Sequence, residues 1–139
     1  MTNEKIVNYA NYVSKVVGTS DPFIIASKLG INVLYKQYNK SVKGYYRKVF
    51  DKLYIIINSN FSKNAQRIIC AHELGHALLH TDFYEPLISK HFEDCVLDKM
   101  EQQANMFAAA LVFDQSKLRI EISQMNSFLI KSIFDANLY

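Results

Sequence analysis

The pattern H-E-x-x-H at residues 72–76 is the feature that most constrains this chain. It lies in a stretch, 67–80, whose apolar residues predict a helix. Residues four apart on a helix turn through roughly 400°, so His72 and His76 point nearly the same way, about 6 Å apart along the axis. Two imidazoles placed in this way can share one Zn²⁺. Glu73 points in a different direction around the helix. From that position it can reach a water bound to the metal more easily than it can reach the metal itself, as a general base would.

The rest of this helix is apolar, which predicts that it is buried all round. Its far face carries Cys70, Leu74, Ala77 and Leu78, and Ile68, Ile69 and Leu79 flank the histidines. The alternative is a pair of surface histidines on an amphipathic helix. Buried imidazoles beside a buried carboxylate need a partner, and a metal ion supplies one. Cys70 lies away from the histidines, so we expect it to pack in the core rather than to act as a ligand or nucleophile.

Length and charge limit the remaining classes of function. A chain of 139 residues is expected to form one domain, 1–139, with its motifs at about 20–112. The net charge is only +3, and the Lys and Arg residues are scattered along the sequence rather than clustered. Since no helix-turn-helix pair stands out either, direct nucleic-acid binding is not predicted. The chain lacks a signal-peptide pattern and a long apolar run, which predicts a cytoplasmic protein without a membrane segment. Two cysteines make no disulfide framework.

The pattern along the chain predicts an α+β fold, with helices around a small, mainly antiparallel sheet and the H-E-x-x-H motif on a central helix. A central strand is expected at 53–58 because residues 53–57 are apolar on both faces. The predicted helices and strands are a helix at 4–17, a short helix from Pro22 to Gly30, a strand at 31–38, a hairpin of 45–50 and 53–58, the motif helix, a helix at about 94–112, and a last helix at about 115–134.

Catalytic zinc usually has three protein ligands and one open position, so a third ligand is expected. His80 would lie about 12 Å along the axis from His72, too far for one ion on a straight helix, and a capping, supporting or packing role suits it better. Asp82 could serve only if the helix broke after His76. The stronger candidate is Glu101 on the next predicted helix.

Glu101 and Asn105 share one face of that helix, because they are four residues apart. The small Ala104 and Ala108 beside them would let the helix approach the motif helix closely. Asn105 could then accept the free N–H of a ligating histidine. The alternative is that Glu101 is an ordinary solvated helix residue.

Three segments in this order resemble the ImmA/IrrE family of zinc metallopeptidases. They are Ile-Ile-Ile-Asn at 55–58, the whole stretch at 67–80, and Glu101-x-x-Ala-Asn-x-Phe-Ala at 101–108. The resemblance covers about residues 20 to 112. It departs from the family after that, where residues 111–114 read Leu-Val-Phe-Asp without the usual proline and no pattern of an added DNA-binding or sensor domain follows.

The resemblance implies a gluzincin-like site, with His72, His76 and Glu101 as ligands of one Zn²⁺ and Glu73 as catalytic base. It also implies a peptidase that cleaves a helix-turn-helix repressor of a phage or mobile element and so releases repressed genes. The alternative is a zinc-containing module that binds such a regulator without turnover. A purely structural zinc site is less favoured, since Glu73 would have no task.

Two further expectations concern the substrate. An extended peptide could pair with an exposed sheet edge, for which residues 45–50 are the candidate. An oxyanion partner or proton donor is also needed, and Tyr84 or His91, in the segment after the motif helix, could supply it. The oligomeric state does not follow from the sequence.

Overall fold

The computed structural model describes residues 1–80 and 94–139, with side chains from residue 98 onwards in the second range. Five helices surround a three-stranded sheet within these residues. In chain order the elements are α1 (Asn3–Val17), α2 (Pro22–Lys28), β1 (Asn32–Lys36), β2 (Gly44–Val49), β3 (Lys52–Asn58), α3 (Lys63–Leu79), α4 (Asp94–Val112) and α5 (Ser127–Leu138). None of the described helices combines the length and apolar character needed to cross a membrane.

The first two helices lie close to their predicted positions: α1 begins one residue earlier, and α2 begins at Pro22 as predicted but ends two residues before Gly30. Asp21 caps α2 by accepting a hydrogen bond from the Phe23 backbone N–H, and Pro22 occupies the first turn, where its missing N–H costs nothing. Gly18 after α1 and Gly30 after α2 have φ values of 90° and 75°, a region that disfavours side chains with a Cβ. These residues therefore explain why both helices end there.

The sheet has the order β1-β3-β2, which confirms β3 as the central strand. The predicted hairpin is present: β2 pairs with β3 antiparallel, and Val49 lies opposite Lys52 across a two-residue turn. The strand β1 pairs with β3 in parallel, so the sheet is mixed. This arises because the chain passes from β1 to the far edge of the sheet before it returns through the hairpin to the centre.

Helix α3 carries the motif and lies in the core, as predicted. The four consecutive residues 68–71 are all buried, and together they cover every side of one turn. The helix packs on β2, β3, α2, α4 and α5. At Gly75 the two helices approach closely, because an added Cβ would lie 3.2 Å from both the Ala104 carbonyl oxygen and the Phe107 ring of α4. The glycine inside the motif therefore lets α4 pack close to α3.

The prediction of one helix at 115–134 is wrong. Two short 3-10 turns, Gln115–Lys117 and Ile122–Gln124, come first, and α5 begins only at Ser127. The Asp114 and Asn126 side chains each accept a hydrogen bond from a backbone N–H two or three residues ahead, so the chain starts a new element at both places. Within this segment Ile122 and Met125 are buried, whereas Phe128 is 79% exposed.

A fully buried asparagine holds the loop between β1 and β2. The side-chain oxygen of Asn58 accepts hydrogen bonds from the backbone N–H groups of Tyr38 and Asn60 at 3.2 and 2.9 Å. Its amide nitrogen lies 3.1, 3.0 and 2.8 Å from the carbonyl oxygens of Tyr38, Asn39 and Val42. The loop leads directly into β2, so Asn58 also fixes where β2 starts.

We expect Asn58→Ala to lower the free energy of unfolding by about 3 kcal/mol, because several buried backbone groups would lose their partner. Asn60→Ala is the matched control: this exposed side chain donates one hydrogen bond to the Tyr38 carbonyl, and its loss should cost less than about 1 kcal/mol. Urea unfolding of both variants checks this. Equal losses would show that Asn58 is no more important than a surface asparagine.

Candidate metal centre

Helices α3 and α4 bring three side chains to one point. His72 and His76 lie one turn apart on α3, with ring centroids 4.7 Å apart. Glu101 reaches them from α4, where its Oε1 lies 2.7 Å from His76 Nε2 and its Oε2 lies 3.1 Å from His72 Nε2. The small residues of α4 and Gly75 of α3 make this approach possible. The three residues named from the sequence as ligands are therefore neighbours in space.

Glu73 lies beside this group but farther from the imidazoles. Its Oε2 is 4.0 Å from His72 Nε2, and the side chain is buried. The ligand atoms of His72, Glu73 and His76 all lie within 4.8 Å of one another, and these residues could hold a metal ion. Two carboxylates, Glu73 and Glu101, thus stand at different distances from the same pair of histidines.

Charge and hydrogen bonding shift the pKa values of this group. Burial alone would raise the pKa of Glu101, but its hydrogen bonds with His72 and His76 outweigh this and hold the pKa far below the usual range. Burial alone would lower the pKa of His72, and the carboxylates of Glu101 and Glu73 reverse the direction and raise it. Although 57% of the Glu101 side chain is exposed, its carboxylate is therefore an anion bound to both rings.

Each histidine of the pair also has a neighbour other than Glu101. The Asn105 side chain, which was predicted to support a ligating histidine, contributes after burial and the two carboxylates to the shifted pKa of His72. The Nδ1 of His76 lies 3.0 Å from the Nδ1 of His80. Burial lowers the pKa of His80, so its neutral form is favoured.

The donor set fits a divalent metal ion. In a neutral histidine with a proton on Nδ1, Nε2 presents a lone pair. A lone pair on His76 Nε2 would face the Glu101 carboxylate at 2.7 Å, and two acceptors so close repel each other unless a proton or a cation lies between them. Two imidazoles and one carboxylate are a ligand set known from catalytic zinc sites, and neutral imidazole and carboxylate also suit other divalent metals.

The group opens into a cavity of about 940 Å³. The loop before β2 and the start of that strand form one wall, through residues 41–46, and α4 forms part of the floor with Asn105. Among the described residues, a further wall comes from α5, through Phe128, Lys131 and Phe134 among others. This role of α5 was not predicted, since the predicted helix starts at about residue 115 whereas α5 begins at Ser127.

The structure answers differently for each of the remaining candidates. Cys70 is fully buried among apolar side chains, and burial raises the pKa of its thiol, as expected for core packing. Tyr84 and His91, the candidate oxyanion partners, and Asp82, the rejected ligand, lie outside the described residues. His80 touches His76 through Nδ1 and also lies at the C-terminal end of α3, so more than one of its expected roles is compatible with its position.

Comparison with known proteins places this site in a family. The sequence profile of the IrrE N-terminal-like domain, peptidase family M78, matches residues 26–133, which include all of α3 and α4. "Uncharacterized immunity region protein 2" of Bacillus phage phi105 is 37% identical over 94 residues, which cover 68% of this chain and 59% of the phage protein. This chain therefore matches less than two thirds of that relative's length. On the extent of the profile match, the chain belongs to the ImmA/IrrE family of M78 peptidase domains.

Proposed function

We propose that this protein is a zinc-dependent endopeptidase that cleaves a helix-turn-helix repressor of a phage or mobile element. The observation that carries the proposal is the convergence of His72, His76 and Glu101, with Glu73 beside them, at an open cavity in an M78 peptidase domain. His72, His76 and Glu101 would hold one zinc ion per chain.

The chain's own residues divide the chemistry between them. Zinc, when bound, polarises a carbonyl group and makes water more acidic. Glu73 accepts the proton from the attacking water and later delivers it to the leaving amine, because it is close to the cavity without binding both imidazoles. Asn105 lines the same cavity and acts on His72, so it would support that ring in its orientation.

The edge of the sheet next to the site suits an extended substrate. Among the described strands, β2 lies at an edge. Val49 and Lys52 flank a two-residue turn, so their backbones form a hydrogen-bonded pair. Along the hairpin from there, residue pairs that exchange backbone hydrogen bonds alternate with pairs that do not. The backbone groups of Gly44 and Lys48 consequently point away from β3. A peptide that runs along β2 would bring its backbone past the histidines, because residues 44–46 line the cavity.

The name of the phage relative supports the choice of substrate. The relative is described as an immunity region protein of a phage, and a phage repressor is the proposed substrate. A protease that removes such a repressor would act in the cytoplasm. Its substrate could be free or bound to DNA, and the protease itself would not need to contact nucleic acid.

The experiment that tests the proposal combines the purified protein with the helix-turn-helix repressor encoded nearest to its gene. We expect two defined repressor fragments, whose formation stops with a zinc chelator and resumes when zinc is restored. Mass spectrometry of the fragments identifies the cleaved bond. An intact repressor that nevertheless co-purifies with the zinc-loaded protein would replace the peptidase by a regulatory binding module, and a repressor neither bound nor cut would exclude it as the partner.

A further inference from the structure

His80 is a buried histidine whose ring has a partner on each side. Only 5% of the residue is exposed. Its Nδ1 lies 3.0 Å from the Nδ1 of His76, and its Nε2 lies 2.8 Å from the Oε1 of Gln103 on α4. Gln103, His80 and His76 therefore form a continuous hydrogen-bonded chain that ends at the candidate metal centre.

The acceptor at the far end of this chain fixes the direction of its hydrogen bonds. The side-chain oxygen of Gln103 can only accept, so the Nε2 of His80 must carry a hydrogen. A neutral His80 then has a lone pair on Nδ1, which accepts the hydrogen on the Nδ1 of His76. A neutral His76 with its hydrogen on Nδ1 presents a lone pair on Nε2, the atom that faces Glu101, once a metal ion replaces the proton between Nε2 and the carboxylate. This is the tautomer that ligation through Nε2 requires.

A second contact fixes the plane of the His76 ring. The Tyr46 ring stacks on it, with centroids 5.6 Å apart and an angle of 19° between the planes. The Tyr46 hydroxyl donates a hydrogen bond to the backbone carbonyl of His80 at 3.2 Å. Tyr46 therefore contacts the face of the His76 ring and His80 contacts its edge, which leaves the ring little freedom to rotate.

We propose that His80 and Gln103 are positioning residues, which hold His76 in the tautomer and orientation that present its Nε2 to the metal. The inference rests on the proposed metal site, but it assigns to this chain a support that the motif H-E-x-x-H does not contain.

Zinc affinity, measured by competition with a chelating dye, tests the role of His80. We expect His80→Leu to bind zinc about 10–100-fold more weakly, the usual cost of losing such a support. His80→Asn should recover most of this loss, because an asparagine oxygen can stand near the position of Nδ1 and accept from His76. Affinities in both variants equal to wild type, or reduced by the same factor, would overturn the inference.

Variants of Gln103 keep the test decisive if changes at the buried His80 prevent folding. Gln103→Glu retains the acceptor, so zinc affinity should stay close to that of wild type, whereas Gln103→Leu should lower it. Gln103 is only half-buried, so both proteins should fold. Equal affinities of the two variants would contradict the inference.

Nitrogen NMR of the histidine rings provides a readout that a purely structural role would not change. With zinc bound, His76 of the wild type should show a protonated Nδ1 and a metal-bound Nε2, and this assignment should be lost or mixed in His80→Leu. Failure of the proposed metal site can be distinguished from failure of the proposed role of His80. A wild-type protein that binds no zinc overturns the metal site and this inference together, whereas tight zinc binding with an unchanged His76 in His80→Leu overturns this inference alone.

Discussion

Glu73→Gln should abolish repressor cleavage while the protein still binds one zinc ion per chain. The amide has nearly the shape of the carboxylate but cannot take a proton from water, and general acid–base catalysis typically contributes about 10²–10⁴-fold to a rate. We therefore expect the cleavage rate to fall by at least about 10²-fold. The measurement pairs a time course of repressor fragments with the zinc content of the same preparation.

The position of Glu73 is the reason to expect zinc to remain. Its nearer oxygen lies 4.0 Å from His72 Nε2, whereas the Glu101 oxygens lie 3.1 and 2.7 Å from the two histidines. Glu73 is nevertheless close enough to belong to one cluster of donors with His72 and His76. The geometry therefore allows two assignments of the third ligand, and Glu73→Gln separates them.

Glu73→Asp serves as the matched control, because it keeps the carboxylate but withdraws it by one methylene. We expect this variant to keep its zinc and a small part of its activity, since proton transfer depends on reach as well as on charge. Zinc lost in Glu73→Gln would make Glu73 a ligand rather than the base. Zinc retained with full cleavage would mean that the base is another residue.

Those parts of the fold that depend on short-range periodicity could be predicted from the sequence. The helix α3 follows from apolar residues spaced three and four apart, and its two histidines point the same way because they too are four apart. The hairpin follows from two apolar runs on either side of a short turn. The meeting of Glu101 with the histidines was also predictable, because Asn105, Ala104 and Ala108 mark the face of α4 that packs inward. Gly75 contributes to the same contact, and its role becomes clear only from its distance to Ala104.

Features set by contacts distant in sequence could not be predicted in the same way. The parallel pairing of β1 arises because β1 joins the hairpin beside β3 rather than beside β2, and local patterns do not encode that choice. The residues from 115 to 126 have apolar side chains at helical spacing, yet the caps at Asp114 and Asn126 break the segment into turns. The spacing of His80 from His72 disfavours it as a ligand of the same ion, but its contact with Gln103 could not be predicted, because that contact requires the packing of α4 against α3.

Glu101→Ala should remove most of the zinc affinity. Structural zinc sites with four ligands bind with apparent free energies of about 10–16 kcal/mol, so one ligand accounts for roughly 3–4 kcal/mol, or on the order of 10²–10³-fold in affinity. The change also removes the carboxylate that binds both imidazoles, so His72 and His76 would no longer be drawn together by an anion. Chelator competition on the wild type and the variant measures the difference.

Two further variants make the Glu101 result specific. Gln102→Ala changes the next residue of the same helix, an exposed side chain that also lines the cavity, and we expect its zinc affinity to equal that of the wild type. Glu101→Gln keeps the size of the side chain but not its negative charge, and it should bind zinc more weakly than the wild type and more tightly than Glu101→Ala. Unchanged affinity in Glu101→Ala would exclude Glu101 as a ligand. If Glu73→Gln then lost its zinc, the third ligand would lie within the motif itself, and the catalytic base would have to come from elsewhere in the cavity.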